Sequence, residues 1–198
     1  MPATPIFLAS ASPRRSELLR QIGVEHLVRV APVDETTRPG ECPLDYVRRL
    51  ALAKAEAGWQ AFAAAQGRPV LAADTTVALE AEVIGKPADR AEAIAMLGRL
   101  SGREHAVHTA VALRHRGGTG IAISSSRVSF RELREGEAER YWASGEPADK
   151  AGAYAIQGFG AVFVRRLEGS YSGVMGLPLY ETWELLAPVL GLNGTAPR

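Results

Sequence analysis

The chain has 198 residues, 46% of them hydrophobic, enough to bury a substantial core within one domain or two small lobes. A formal net charge of +1, with no basic tail and no interleaved basic and aromatic patch, argues against a nucleic-acid surface, so any anionic partner should be small. No apolar run approaches the ~18 residues of a membrane span, no cleavable leader is recognisable, and the lone Cys42 allows neither an internal disulfide nor a cysteine zinc site; a cytoplasmic protein without redox chemistry is the expectation.

Ile6-Phe7-Leu8-Ala9 reads as a short buried strand. Ser12 as N-cap, Pro13 as first helical residue and the stripe Leu18, Leu19, Ile22 then predict a helix ending at Gly23. Arg14 and Arg15 fall in its first turn, the wrong end of the helix dipole for cations unless an anion binds there, and phosphate is the natural candidate. An exposed basic turn with both arginines solvated accounts for the same residues. An apolar strand follows around Leu27 to Val30. It ends in the loop Ala31 to Thr36, whose acids Asp34 and Glu35 read by themselves as solvated.

Leu44 to about Gln66 reads as a long helix, opened near Pro43 and closed near Gly67, with Cys42 just before it in a structural role. Val47, Ala51 and Lys54 share one of its faces, so Lys54 interrupts an apolar stripe; snorkelling to the surface is the simpler account of this helix alone. Only Lys54, Lys86 and Lys150 among the 23 basic residues are lysine. In a chain this rich in arginine and alanine, a retained lysine marks a position where a compact ammonium suits and a planar fork does not, although three residues are also within the reach of chance.

Val70 to Leu79 is an apolar strand interrupted by Asp74, Thr75 and Thr76. A carboxylate there is poorly suited to a strand and costly to bury unpaired, so Asp74 calls for a metal, a cation or a catalytic water. Glu80-Ala81-Glu82 turns the chain into Val83 to Pro87 and brings Lys86 back toward the same sheet end. A helix over Asp89 to Leu100 and a strand over Glu104 to Leu113 come next; the odd separation of His105 and His108 points them to opposite faces, as structural residues and not joint metal ligands. Beyond the turn at 116–120, Ile121 to Phe130 reads as a strand pair or one long strand, and Glu135 to Trp142 as a helix. The segment 145–160 is dense in small residues that permit close backbone approach to a ligand, with Gln157 offering a donor and an acceptor side by side. Ala161 to Val164 and Gly169 to Gly176 suggest a hairpin, Pro178 opens a terminal helix through about Leu190, and the residues after Gly191 read as frayed.

Strands alternating with helices, hairpins in the middle and a strand–helix phosphate site at the start predict a mixed α/β fold. Neither a Walker lysine motif nor a G-x-G-x-x-G fingerprint is present, so any nucleotide site is of another kind. The segments LASASPRR, AADTTV with the following IGKP, DKAGAYAIQG and GSYSGVMGLPL occur in the order seen in the Maf family of nucleoside triphosphate pyrophosphatases, which the chain resembles from about Ile6 to Leu186. The resemblance implies a single domain over 1–198 with an elongated, inosine-triphosphatase-like mixed sheet flanked by helices, a cleft between two lobes, frequent homodimers and divalent-metal-dependent release of pyrophosphate. The DKAGAYAIQG form resembles the branch acting on dTTP and UTP; the branch acting on 7-methyl-GTP is the alternative, as is a nucleotide-binding regulator of septum formation.

Position by position, the resemblance carries over to Ser10, Arg14, Arg15, Glu35, Lys54, Asp74, Thr75, Lys86 and Gln157. In the mechanism it implies, Arg14, Arg15 and the helix N-terminus hold phosphate oxygens, assisted by Lys54 and Lys86, with Ser10 and Thr75 at the substrate. Glu35 and Asp74 bind Mg²⁺ or Mn²⁺, and Asp74 also orients or deprotonates the attacking water. Gln157 contributes to selection of the base.

Overall fold

A computed structural model of the chain describes residues 5–192. Ile6, Phe7 and Leu8 are at most 1% exposed and form β1 (Ile6–Leu8), apolar on both faces as a central parallel strand must be. It pairs in parallel with β2 (His26–Val28) on one side and with β3 (Val70–Leu79) on the other. Between β1 and β2 lies α1 (Pro13–Gln21), whose Leu18 and Leu19 are buried. Its Ser16 hydroxyl meets His26 Nε2 at 2.6 Å, and this pins the helix to β2.

Strand β3 organises the molecule. Its far edge pairs antiparallel with β5 (Glu104–His115) from Val70 opposite Arg114 to Ala78 opposite Ala106. Its near edge is shared, β1 lying beside Val70 and Leu71 and the short β4 (Glu82–Ile84) beside Val77 to Leu79. Residues 72–76 therefore have no strand on that side, and Asp74, Thr75 and Thr76 sit in the interruption. The sheet continues through β6 (Gly118–Phe130) to β7 (Val164–Glu168), giving seven strands in the order β2-β1-β3-β5-β6-β7 with β4 attached to β3. The segment 121–130 thus lies within one long strand.

Period-two alternation divides the first half of the sheet into two faces. Phe7, Val70, Ala72, Ala110 and Ala112 pack beneath α2 (Pro43–Gly58), which buries Val47, Ala51 and Ala55 against them. A Cβ on Gly58 would come within 3.0 Å of Val70 Cγ1, so the close seat of α2 on β3 requires glycine there. Cys42 caps this helix by accepting from Asp45 N–H, and a π turn and a 3₁₀ turn prolong it to Gly67, whose φ of +65° ends it. Ile6, Leu8, Leu71, Ala73 and Leu113 face the other way, onto α1 and onto α6 (Leu179–Leu190). The far ends of the long strands pack in a second lobe with α3 (Arg90–Leu100) and α4 (Glu137–Ala143) around Leu97, Phe130, Tyr141 and Phe163. His105 and His108 diverge as expected: the first is buried against Tyr154, the second bonds Ser125.

One expectation is corrected. Residues 161–176 form no hairpin; Phe159–Phe163 is a 3₁₀ turn, β7 follows, and Tyr171–Met175 is a short helix, α5. Gly169 at φ +119° breaks the extended run, and the Ser170 hydroxyl accepts from Gly173 N–H, a cap that strand-like spacing in the sequence conceals. The expected fraying after Gly191 falls, from residue 193 on, outside the described residues. Among those described, no helix is long and apolar enough to cross a membrane.

Candidate active site

The interrupted edge of β3 opens into a cleft of about 560 Å³ between the lobes. Asp74 follows Val70 and Ala72 on the α2 face, and Lys54 continues the buried stripe of α2, so the two meet by the periodicities of their own elements. Lys54 Nζ lies 2.7 Å from Asp74 Oδ1 and 2.7 Å from Glu35 Oε1. Glu35 arrives on the loop between β2 and α2, whose backbone is held by the Tyr46 hydroxyl donating to Glu35 O at 3.0 Å. Burial pushes the Asp74 carboxyl above its ordinary range even though Lys54 and Arg15 pull it down. Burial also pushes Glu35 up, but there the bond and charge of Lys54, with Lys86 and Arg15 behind it, win and hold the group low. Two carboxylates on one ammonium are thereby driven in opposite directions, Asp74 upward by its burial and Glu35 downward by its bond to Lys54.

On the other face, Arg15 is built into the fold. Its Nε donates to Gly176 O at 2.7 Å, Nη1 to Ser10 Oγ at 3.0 Å and Ala73 O at 2.8 Å, and Nη2 to Thr75 Oγ1 at 3.1 Å, which engages four of the guanidinium's N–H groups. The Ala73 carbonyl is one that the missing strand would otherwise have bonded. Thr109 Oγ1 donates to Gly173 O at 2.8 Å, and with its one proton so placed it must accept from Thr75 at 2.9 Å. The Thr75 hydroxyl is thus committed as a donor, with Arg15 on one of its lone pairs. Ser10 Oγ accepts from both Arg15 and Ser12 N–H, which leaves its own proton for a ligand. Burial lowers the Arg15 pKa against the opposing pull of Asp74.

Arg14 differs from its neighbour. Its guanidinium lies 3.8 Å from Asp149 at the cleft rim, and Asp149 also pairs with Lys150. Ser12, at the N-cap of α1, makes no side-chain cap bond, so the first-turn amides have no side-chain acceptor. Lys86 is exposed, Gln157 sits on an exposed turn of the second lobe, and all three lysines of the chain line the one cleft. Ser10, Arg14, Arg15, Glu35, Lys54, Asp74, Thr75, Lys86 and Gln157 are all brought together there. Sequence reasoning misses Thr109, Tyr46 and Asp149 as their partners; Lys150 stands out in it as a scarce lysine and, with Asp149, as the opening of the DKAGAYAIQG segment.

Among the described residues no group of three or more His, Cys, Asp and Glu could hold a metal ion. Glu35 and Asp74 converge on the Lys54 ammonium, and each is bonded to it through one oxygen; two hard carboxylates are the donor type that Mg²⁺ or Mn²⁺ takes, with phosphate and water completing the shell.

The family model described as Maf-like protein matches residues 5–189. The chain belongs to the Maf family. Similar Maf proteins are each named dTTP/UTP pyrophosphatase. The one from Bordetella parapertussis is 56% identical over 187 residues, covering 91% of this chain and 90% of that protein. The one from Chromobacterium violaceum is 53% identical, covering 93% and 94%. The one from Nitrosomonas europaea is 52% identical, covering 91% and 92%. Among solved structures, the Staphylococcus aureus Ham1 protein is similar at a TM-score of 0.47 and 17% identity, covering 64% of this chain and 72% of that one.

Proposed function

We propose that this Maf chain hydrolyses dTTP and UTP to the monophosphate and pyrophosphate by attack of water at the α-phosphorus. The observation that carries this reading is a buried carboxylate, Asp74, held by the Lys54 ammonium at 2.7 Å in a cleft that is also lined by Arg14, Lys86 and Lys150. The names of its relatives support the substrate.

Asp74 Oδ1 is held by Lys54, so its second oxygen accepts the proton of the attacking water. Arg14, Lys86, the Ser10 hydroxyl and the first-turn amides of α1 receive phosphate oxygens, and their charge favours the transition state in which negative charge builds on the leaving pyrophosphate. Arg15 holds Ser10 and Thr75 in position with most of its donors and has one N–H of Nη2 left for a phosphate oxygen. Glu35 and Asp74 would hold a divalent cation, which when bound offsets triphosphate charge and lowers the pKa of a water. Gln157, across the cleft, matches the N3–H and O4 edge shared by uracil and thymine with one acceptor and one donor.

The test is turnover of a nucleotide panel by purified protein with Mg²⁺ or Mn²⁺, with products identified. UTP and dTTP should give monophosphate and pyrophosphate, with purine triphosphates much poorer. Preferential turnover of 7-methyl-GTP, or orthophosphate as the first product, would overturn the reading.

A further inference from the structure

The turn that carries Gln157 packs Ile156 into the core of the second lobe, and its backbone is bonded by a single side-chain pair on α4 and the turn after it. Glu146 Oε1 accepts from the Tyr141 hydroxyl at 2.6 Å and from Gly160 N–H at 3.1 Å, while Oε2 accepts from Phe159 N–H at 2.9 Å. The Tyr141 oxygen in turn accepts from Ala155 N–H at 3.0 Å. The backbone is therefore gripped two residues before Gln157 and two and three residues after it. Burial pushes Glu146 up, but the bonds from Tyr141, Gly160 and Phe159 outweigh it and keep the carboxylate ionised, a stronger acceptor than any neutral group. Tyr141 is 1% exposed and packs edge-on to Phe163, so the anchor is itself fixed in the core of the second lobe.

The glycines of this turn fit the same account. A Cβ on Gly158 would lie 2.4 Å from the Glu146 carboxyl carbon, and one on Gly160 would lie 2.6 Å from the Tyr141 oxygen. Gly158 has φ −113°, a conformation open to any residue, so it is the carboxylate and not the backbone that demands glycine there.

A side-chain amide can turn by half a revolution and present its donor and acceptor in exchanged places, which would suit cytosine as well as uracil. Gln157 alone thus cannot choose between them, but where its amide stands relative to any base is set by the backbone that carries it. We propose that Tyr141 and Glu146 are positioning residues for the nucleotide base, clamping the 155–160 turn so that Gln157 is held at the base edge across the cleft. The inference rests on the pyrimidine reading for its activity measurement and on the hydrogen bonds alone for its exchange measurement.

Glu146→Gln keeps the size but sets an NH₂ against Phe159 N–H, and Gly158→Ala displaces the carboxylate without altering it. In both variants, amide hydrogen exchange across 155–160 should rise about tenfold with the global Tm little changed. The kcat/KM for UTP should fall about tenfold through KM, while that for ribose 5-triphosphate, which has no base for the turn to hold, should stay unchanged. Unchanged exchange in both variants would overturn the inference, as would raised exchange with an unchanged KM for UTP, or an equal loss on UTP and ribose 5-triphosphate. A parent protein that turned over UTP no better than ribose 5-triphosphate would overturn the substrate reading instead, and the exchange measurement would still decide whether the pair holds the turn.

Discussion

Asp74 and Lys54 make one unit: the carboxylate is buried, the ammonium beside it largely so, and Glu35 shares that ammonium at the same distance. Asp74→Asn preserves volume and removes the proton acceptor, so kcat/KM for UTP should fall by roughly 10²–10⁴ with Tm held within a few degrees; near-normal turnover in a folded variant would take Asp74 out of the mechanism. Both residues were legible from the sequence because each breaks the pattern of its own element, a carboxylate in an apolar strand and a lysine in an apolar helical stripe. Lys54, Lys86 and Lys150 all line one cleft. What the sequence could not show is a pairing such as Thr109 with Gly173, 64 residues apart, since neither residue departs from its local pattern.

At the level of elements, adjacent arginines on α1 have separate jobs. Arg15 ties α1 to β3 at Ala73 and to the end of α5 at Gly176, whereas Arg14 reaches only a carboxylate at the rim. An ammonium cannot span those acceptors, so Arg15→Lys should cost roughly 2–4 kcal/mol and lower Tm by roughly 5–15 °C, while Arg14→Lys should leave Tm unchanged and raise KM. Thermal melts of the two variants side by side would check this, and equal melting points would show the network to be dispensable. Elements with strong local signals were readable in advance: β3 over Val70–Leu79, and the α2 region with its end at Gly67. The segment ending in α5 does not read as helix from the sequence because five residues are too few for helical periodicity to show, and its cap becomes distinctive only once Gly169 has turned the chain.

For the molecule as a whole, His105 is a buried titrating group that couples stability to acid. Burial pushes its pKa down to about 4 from 6.5, so above pH 6.5 neither the folded nor the unfolded chain protonates it. Between 6.5 and about 4 only the unfolded chain takes up the proton, and the contribution of this group to stability should fall across that window by on the order of 3 kcal/mol. Urea midpoints at pH 7 and pH 4.5 would measure the loss, and His105→Gln should remove that part of it; an identical pH slope in the variant would assign the loss to other groups. The break beside residues 72–76 has a mechanical consequence as well. Two bodies joined by a linker can swing shut on whatever lies between them, but here β3, β5 and β6 pass unbroken from one lobe into the other and form the floor of the cleft. Closing the lobes as rigid bodies would mean bending three hydrogen-bonded strands together. The cleft is therefore a vice whose jaws are forged in one piece, and the strands beneath it resist any change in the width between them.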